Sequence, residues 1–371
     1  MKSEHFTLWT DASVARGQDL VREMERRRQV MLRVMNNTPS KATSFVIALR
    51  DTREVGAYLP NEFAGVAWDT GNPTGQPGIL IAANNDPRDH VVNHELTHVI
   101  SFGIVANQPH WLSEGIATYF EMADLDSGET SVEIGMPRED HARTLGASRR
   151  RRSLPLSVGE LFACKDKGCM DGTFYATSWA VFAFLLNEHS DQLGRYLQRL
   201  NEVPRGRQAD AWHDAFPDLP PDKLSRELTY WLATGKAALP RIAVSVRGYS
   251  SIARPLGDGD VLAARSLLHV TVAHDHSAAR AEAEAALATE RTNVLARLVE
   301  SWVTRAIAPE DARATAIAHP DDWRAWLLVE RALRGSPEGA QALGRLCDLA
   351  PVELEQCARA GPDAASNGAS K

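Results

Sequence analysis

Residues His94-Glu95-Leu96-Thr97-His98, with Trp111-Leu112-Ser113-Glu114-Gly115 shortly after them, decide how the rest of the chain is read. On a helix, histidines four positions apart project from one face about 6 Å apart along the axis, so both imidazoles reach one metal ion. The flanks predict that helix. Asp86 stands as N-cap, Pro87 suits the first helical position, and Asp89 puts a carboxylate near the positive end of the helix dipole. Val92, Leu96, Val99 and Ile100 recur at helical spacing and bury one face, leaving His94 and His98 on another, and Gly103 is the stop. A random chain of this length and composition contains H-E-x-x-H roughly one time in fifty, so the second segment carries much of the weight.

Residues 109 to about 123 predict a second helix, with Leu112, Ile116, Tyr119, Phe120 and Ala123 inward. Fifteen residues separate His98 from Glu114. That is enough to end one helix, cross a loop near residues 105–108 and return Glu114 to the histidines in an antiparallel pair. Gly115 and Ala117 are small and permit the two backbones to approach. Two His and one Glu around zinc leave a fourth position for water, as catalytic sites do. Glu95, beside the first histidine but pointing elsewhere, is the candidate base that takes a proton from that water and passes it to a leaving amine.

H-E-L-T-H followed by W-L-S-E-G-I-A-T-Y-F-E resembles the gluzincin branch of zinc metallopeptidases, specifically the bacterial peptidase-MA-like families long catalogued as domains of unknown function. The resemblance runs from His5-Phe6-Thr7 to about residue 200 and includes a block around Tyr175. It implies a zincin-like catalytic domain, one Zn²⁺ held by His94, His98 and Glu114, Glu95 as base, and a peptide or protein substrate. In several gluzincins a tyrosine or histidine from a later helix hydrogen-bonds the oxyanion, which makes Tyr175 the candidate here. Metzincins want H-E-x-x-H-x-x-G-x-x-H, and this chain has Ser101 and Ile104 at the glycine and third histidine.

Neighbouring polar residues leave alternatives. Glu121, seven positions after Glu114 and on the same helical face, is either another ligand or a partner that orients a histidine ring. His90 is one turn before His94, but ligands at i, i+4 and i+8 span about 12 Å, too far for one ion. His110 can approach the cleft without ligating.

A chain of 371 residues with 44% hydrophobic composition suits two domains, or one large domain with an appendage. Net charge of −7 gives no footprint for nucleic acid or an anionic membrane, and no apolar run approaches the roughly 18 residues of a membrane span. The basic run Arg149–Arg152 lacks interleaved aromatics and reads as a solvated loop within a polar region of residues 125–155, or as a cleft border that attracts acidic substrates. Cys164 with Cys169 and Cys347 with Cys357 form two local pairs suited to an oxidising compartment, although four cysteines allow three pairings and free thiols remain an alternative. No charged-then-apolar signal precedes the strand at Phe6-Thr7-Leu8-Trp9-Thr10. In the family it resembles, such a strand follows an export signal, so an extracytoplasmic protein whose signal lies outside this chain is expected.

The fold class is α+β. Strands are predicted at residues 6–10, 44–49, 63–68 and 78–83, and a long helix over 12–36 with Leu20, Met24, Met31 and Leu32 inward and several arginines outside. An exposed edge among them can align an extended peptide, with residues 64–68 or 78–82 as that edge. Further helices fall at 172–188 and between 191 and 234. The catalytic domain is expected over residues 1–245. Residues 256–359 turn alanine-rich, and Asn293-Val294-Leu295-Ala296-Arg297-Leu298 is echoed about 29 residues later by Asp322-Trp323-Arg324-Ala325-Trp326-Leu327. That period suggests a helical array similar to tetratricopeptide repeats, a place for a protein partner or simply a cap on the enzyme. Residues 360–371 are expected to be a disordered tail. A second reading makes the chain a non-catalytic protein-binding module with a structural or vestigial zinc site. Glu95 argues against it, since a structural site needs no base. A third is hydrolysis of a non-peptide amide.

Overall fold

The computed structural model describes residues 1–34, 43–59, 65–84, 90–105 and 107–350, apart from 127, 129, 205, 236–238 and 246, together with Cys357. The cap expected at Asp86, Pro87 and Asp89 and the tail at 360–371 lie outside the described residues.

The chain runs β1 (Phe6–Thr10), α1 (Val14–Val34), β2 (Ser44–Leu49), a single helical turn α2 (Thr52–Val55), β3 (Gly65–Trp68) and β4 (Gly78–Ala82). Next come α3 (His90–Phe102), α4 (His110–Phe120), β5 (Asp124–Leu125), β6 (Ser131–Glu133), α5 (Glu139–Arg151), α6 (Val158–Ala163) and α7 (Gly172–Glu188). They are followed by α8 (Ser190–Glu202), α9 (Gln208–Ala215), α10 (Pro221–Thr234) and β7 (Arg241–Ala243). Among the described residues six helices follow: α11 (Asp258–Thr271), α12 (His276–Thr289), α13 (Val294–Thr304), α14 (Pro309–Ala318), α15 (Trp323–Ala332) and α16 (Pro337–Leu349). The class is α+β with a C-terminal helical region.

Contacts gather the chain into two compact units: residues 1–21, 40–85 and 249–371 form unit 1, and residues 22–39 and 86–248 form unit 2. This grouping differs from a linear cut at residue 245, because the strands and the last helices share one core. In unit 1 the sheet order is β1-β2-β4-β3, with β1, β2 and β4 parallel and β3 antiparallel to β4. Ser44–Leu49 and Gly78–Ala82 are near-continuous apolar runs, as strands covered on both faces require. Trp9, Phe45, Ile47 and Leu80 cluster with Ala263, Leu267 and Leu268 of α11, Ala279 and Ala283 of α12, and Leu295 and Val299 of α13. At about 1.5–3 kcal/mol for each large apolar side chain removed from water, that interface ties the helices to the sheet. Of the two edges proposed for substrate, β4 is interior, paired on both sides, and β3 is the edge.

The repeat is visible in the caps. Asn293 accepts from the backbone of Ala296 at the start of α13, and Asp322 does the same for Arg324 at the start of α15, at the two positions the sequence aligned. In the core that α15 and α16 build, Trp323, Leu327 and Leu328 meet Ala342 and Leu346. Cys347 is bonded to Cys357 in unit 1 and Cys164 to Cys169 in unit 2, so both local pairs are closed.

In unit 2 the second part of α1 is buried on more than its apolar face. Arg27 and Arg28 are covered rather than outside, and Arg27 pairs with Glu23 at 2.8 Å one turn earlier and donates to the carbonyl of Ala123. The polar stretch read as a loop contains α5, which buries His141 and Leu145 and carries Arg149–Arg151 in its last turn, where cations complement the helix dipole. Arg152 follows as a left-handed C-cap with φ 54°. Residues 241–243 form β7, antiparallel to β6. Among the described residues no helix is long and apolar enough to cross a membrane.

Candidate metal centre

Helix α3 buries Val92, Leu96, Val99 and Ile100 as its spacing requires, and with them Asn93, Thr97 and Ser101. The helix ends at Phe102, one residue before Gly103. Three cross-links pair α3 with α4 in opposite directions. Asn93 Nδ2 donates to the carbonyls of Glu121 and Ala123, His94 meets Glu114, and Nδ1 of His98 lies 3.0 Å from Ser113 Oγ. The antiparallel return that the loop length allowed is therefore present.

It brings three donor atoms together. His94 Nε2 is 3.1 Å from Glu114 Oε2, His98 Nε2 is 3.1 Å from His94 Nε2, and His98 Nε2 is 3.4 Å from Glu114 Oε2. A tetrahedral ion with ligands at about 2.0–2.1 Å sets neighbouring ligand atoms about 3.3 Å apart. The triangle matches that spacing, so His94, His98 and Glu114 form a group able to hold a metal ion.

The outward nitrogens are held as well. Ser113 Oγ takes Nδ1 of His98, and Glu121 Oε2 stands 3.2 Å from Nδ1 of His94, which leaves both Nε2 atoms for the metal. Glu121 is thus a ring-orienting partner and stands outside the donor triangle. Its other oxygen lies 3.5 Å from Nδ1 of the buried His141, whose Nε2 is 3.5 Å from an Arg138 nitrogen. Arg138 is itself clamped by two bonds to Asp140. Sequence reasoning missed Ser113 and His141 as site residues. Ser113 sits in W-L-S-E-G, one position before Glu114, whereas nothing local marks His141. His110 donates to the carbonyl of Lys165, and neither it nor His90 joins the triangle.

The electrostatics follow from this crowding. Burial by itself disfavours a charged His94, but the hydrogen bonds to Glu114 and Glu121 outweigh it and raise its pKa to about 10. Burial likewise opposes ionisation of Glu114, yet His98 and His94 hold its carboxyl well below the usual range. For Glu121, the hydrogen bonds to His141 and His94 overcome burial and lower it to about 2. Tyr175, near the start of α7, places its ring 6.3 Å from that of His94 and stacks at 6.3 Å on His141. Burial first, then the charges of Glu114 and Glu95, push its hydroxyl well above the usual tyrosine value, so it stays protonated and able to donate. Glu95 is half-buried, and its charge is felt at both His94 and Tyr175.

Gly115 serves a different neighbour from the one expected. A Cβ there would lie 2.7 Å from the carbonyl oxygen of Ser178 on α7, so the close approach is between α4 and α7. One position along a helix turns the side chain by about 100°, which points Gly115 away from α3 when Glu114 faces it. Gly115→Ala should destabilise the protein by about 1–3 kcal/mol, read as a lowered denaturation midpoint, because backbone must move to admit the methyl group. An unchanged midpoint would show that the helices separate freely.

Residues 90–204 match the family model described as Protein of unknown function (DUF1570). No curated protein matches the chain. The matched segment runs from the start of α3 through α8 and contains His94, Glu95, His98, Glu114, Glu121, His141 and Tyr175. It begins at His90, so β1–β4, which the expected resemblance included, lie outside it. The DUF1570 description carries no activity.

Glu121→Gln keeps the shape of the side chain and removes the charge beside His94. It should weaken metal binding about 10–100-fold in competition with a chelator of known affinity, as loss of a ligand-orienting partner does. Unchanged affinity would mean that Ser113, Glu114 and packing alone fix the ring.

Proposed function

We propose that the protein is a zinc-dependent peptidase, with His94, His98 and Glu114 as ligands and Glu95 as general base. The observation that carries this reading is a three-donor triangle with a second carboxylate, Glu95, on the same helix and outside the ligand set. A structural site closes itself with a fourth protein ligand, and among the described residues the donor group has three members. Bound there, zinc would acidify a water molecule and polarise the carbonyl of a substrate.

The protein's own residues supply the rest. Glu95 accepts a proton from the attacking water and returns it to the amine that leaves, so the base is regenerated in each turnover. Tyr175 donates its hydroxyl hydrogen to the carbonyl oxygen as negative charge develops there, an interaction stronger in the transition state than in the ground state. Glu121 and Ser113 hold the imidazoles so that neither ring turns during the cycle.

The test is hydrolysis of a broad peptide library by the protein as purified, after chelation, and after zinc is restored, alongside elemental analysis. Cleavage that disappears and returns with the metal supports the peptidase. Zinc tightly held without cleavage of any peptide would overturn it. Tyr175→Phe should lower kcat on the order of 10²-fold with zinc content unchanged, the cost typical of losing one oxyanion donor. An unaltered kcat would remove Tyr175 from the chemistry and leave it as a packed ring beside His94 and His141.

A further inference from the structure

Unit 1 holds a cavity of about 680 Å³ lined by the C-terminal ends of α13 and α15 and the N-terminal end of α12. Its charged lining is His276, Arg305, Arg331 and Arg334, with no aspartate or glutamate among the lining residues, in a chain whose net charge is −7. Arg334 is already committed, with two bonds to Glu330 at 2.9 and 3.0 Å. Arg305 and Arg331 are not: among the described residues no carboxylate pairs with either, and Arg331 donates to the carbonyl of Pro73 at 3.3 Å. Burial of Arg331 penalises its charge, and the charge of Glu330, already bonded to Arg334, offsets that penalty only in part.

The ends of α13 and α15 explain part of this charge. Each helix C-terminus carries roughly half a negative charge, so together they answer about one of the two guanidinium groups that pair with no carboxylate among the described residues. One positive charge remains over. Next to it stand Trp302, a large apolar side chain 39% exposed, and Ile307. A cavity that joins a surplus cation to an apolar wall fits an anion carried on an apolar group, and the volume is within the range of small-ligand and short-peptide sites. Guanidinium groups match a carboxylate in paired, planar geometry. A peptide's last residue presents a carboxylate and a side chain from the same carbon, which is the juxtaposition the cavity offers.

We propose that this cavity binds the C-terminal carboxylate of a peptide whose last side chain is apolar, with the carboxylate between Arg305 and Arg331 and the side chain against Trp302 and Ile307. The cavity uses none of the residues of the metal centre.

The experiment is fluorescence anisotropy with the zinc-loaded full chain and labelled peptides ending in leucine, their integrity checked by mass spectrometry. Three forms are compared: a free C-terminal acid, the C-terminal amide, and an amide carrying one internal glutamate. The acid should bind at least 10-fold tighter than either amide, more weakly as salt rises, with phosphate displacing it no better than chloride of equal ionic strength. Arg331→Gln and Arg305→Gln should each weaken the acid at least 10-fold with the thermal midpoint followed in parallel. Arg305 is exposed and pairs with no carboxylate among the described residues, so its replacement leaves the fold intact even if that of Arg331 does not. Equal binding of acid and amide, equal binding of the glutamate peptide, displacement by inorganic phosphate alone, or an Arg305→Gln protein that binds as before would each overturn the proposal.

Discussion

Glu95→Gln should lower peptide hydrolysis on the order of 10²–10⁴-fold and leave zinc content unchanged, the loss expected when a positioned base is removed. The amide has nearly the volume and shape of the carboxylate, so the packing of α3 is undisturbed. It cannot accept a proton at neutral pH, however, and the water must then lose its proton to solvent. Zinc should stay because Glu95 contributes no atom to the His94, His98 and Glu114 triangle. The measurement is kcat on the best library peptide together with metal analysis of the same sample. Hydrolysis within a few-fold of the unaltered protein would end the assignment of Glu95 as base, and loss of zinc would mean that Glu95 supports the ligands themselves.

His98→Ala should weaken zinc binding on the order of 10²-fold or more. Structural zinc sites spread roughly 10–16 kcal/mol over four ligands, so one donor of three is worth at least that factor. Metal uptake by the unaltered protein should also depend on pH in a definite sense. His94 has its pKa raised to about 10 in the metal-free site, so at neutral pH an entering ion must displace its proton. Zinc affinity should therefore rise about tenfold per pH unit from this group between pH 7 and 9, and about one proton should leave His94 per ion bound. The same shift has a stability consequence without metal. A histidine raised from about 6.5 contributes stability that is complete below that value and is lost as pH rises towards 10. The metal-free protein should consequently melt lower at pH 9 than at pH 6.5, and added zinc should close the gap. Calorimetry in buffers of different ionisation enthalpy counts the proton. A count of zero would show that His94 is neutral before the metal arrives.

The His94, His98 and Glu114 group was legible because its members are local. H-E-x-x-H needs only the helical period, and Glu114 needs only a loop short enough to turn back, so both could be read from one stretch of sequence. His141 could not be read that way. It sits beside Arg138 and Asp140 in a charged segment, and its value comes from contact with Glu121, twenty residues earlier, which only the packed structure supplies. Gly115 shows the same limit in another form: small size announced a close approach but not whether α3 or α7 was the neighbour. The positions of β1–β4 were legible from apolar runs, whereas β5, β6 and β7, two or three residues each, carry no such run. The membership of the units was not, because the affinity of the β1–β4 face for α11–α13 rests on shape and area that no single segment displays.

The composition of unit 1 from both ends of the chain has a consequence for biosynthesis. Trp9, Phe45, Ile47 and Leu80 leave the ribosome long before Ala263, Leu267 and Val299, the residues that cover them. At about 5–20 residues per second the nascent sheet waits on the order of ten seconds for its lid of helices. During that interval its apolar face is a target for chaperones or for neighbouring nascent chains, while unit 2, most of it one uninterrupted stretch, is free to close first.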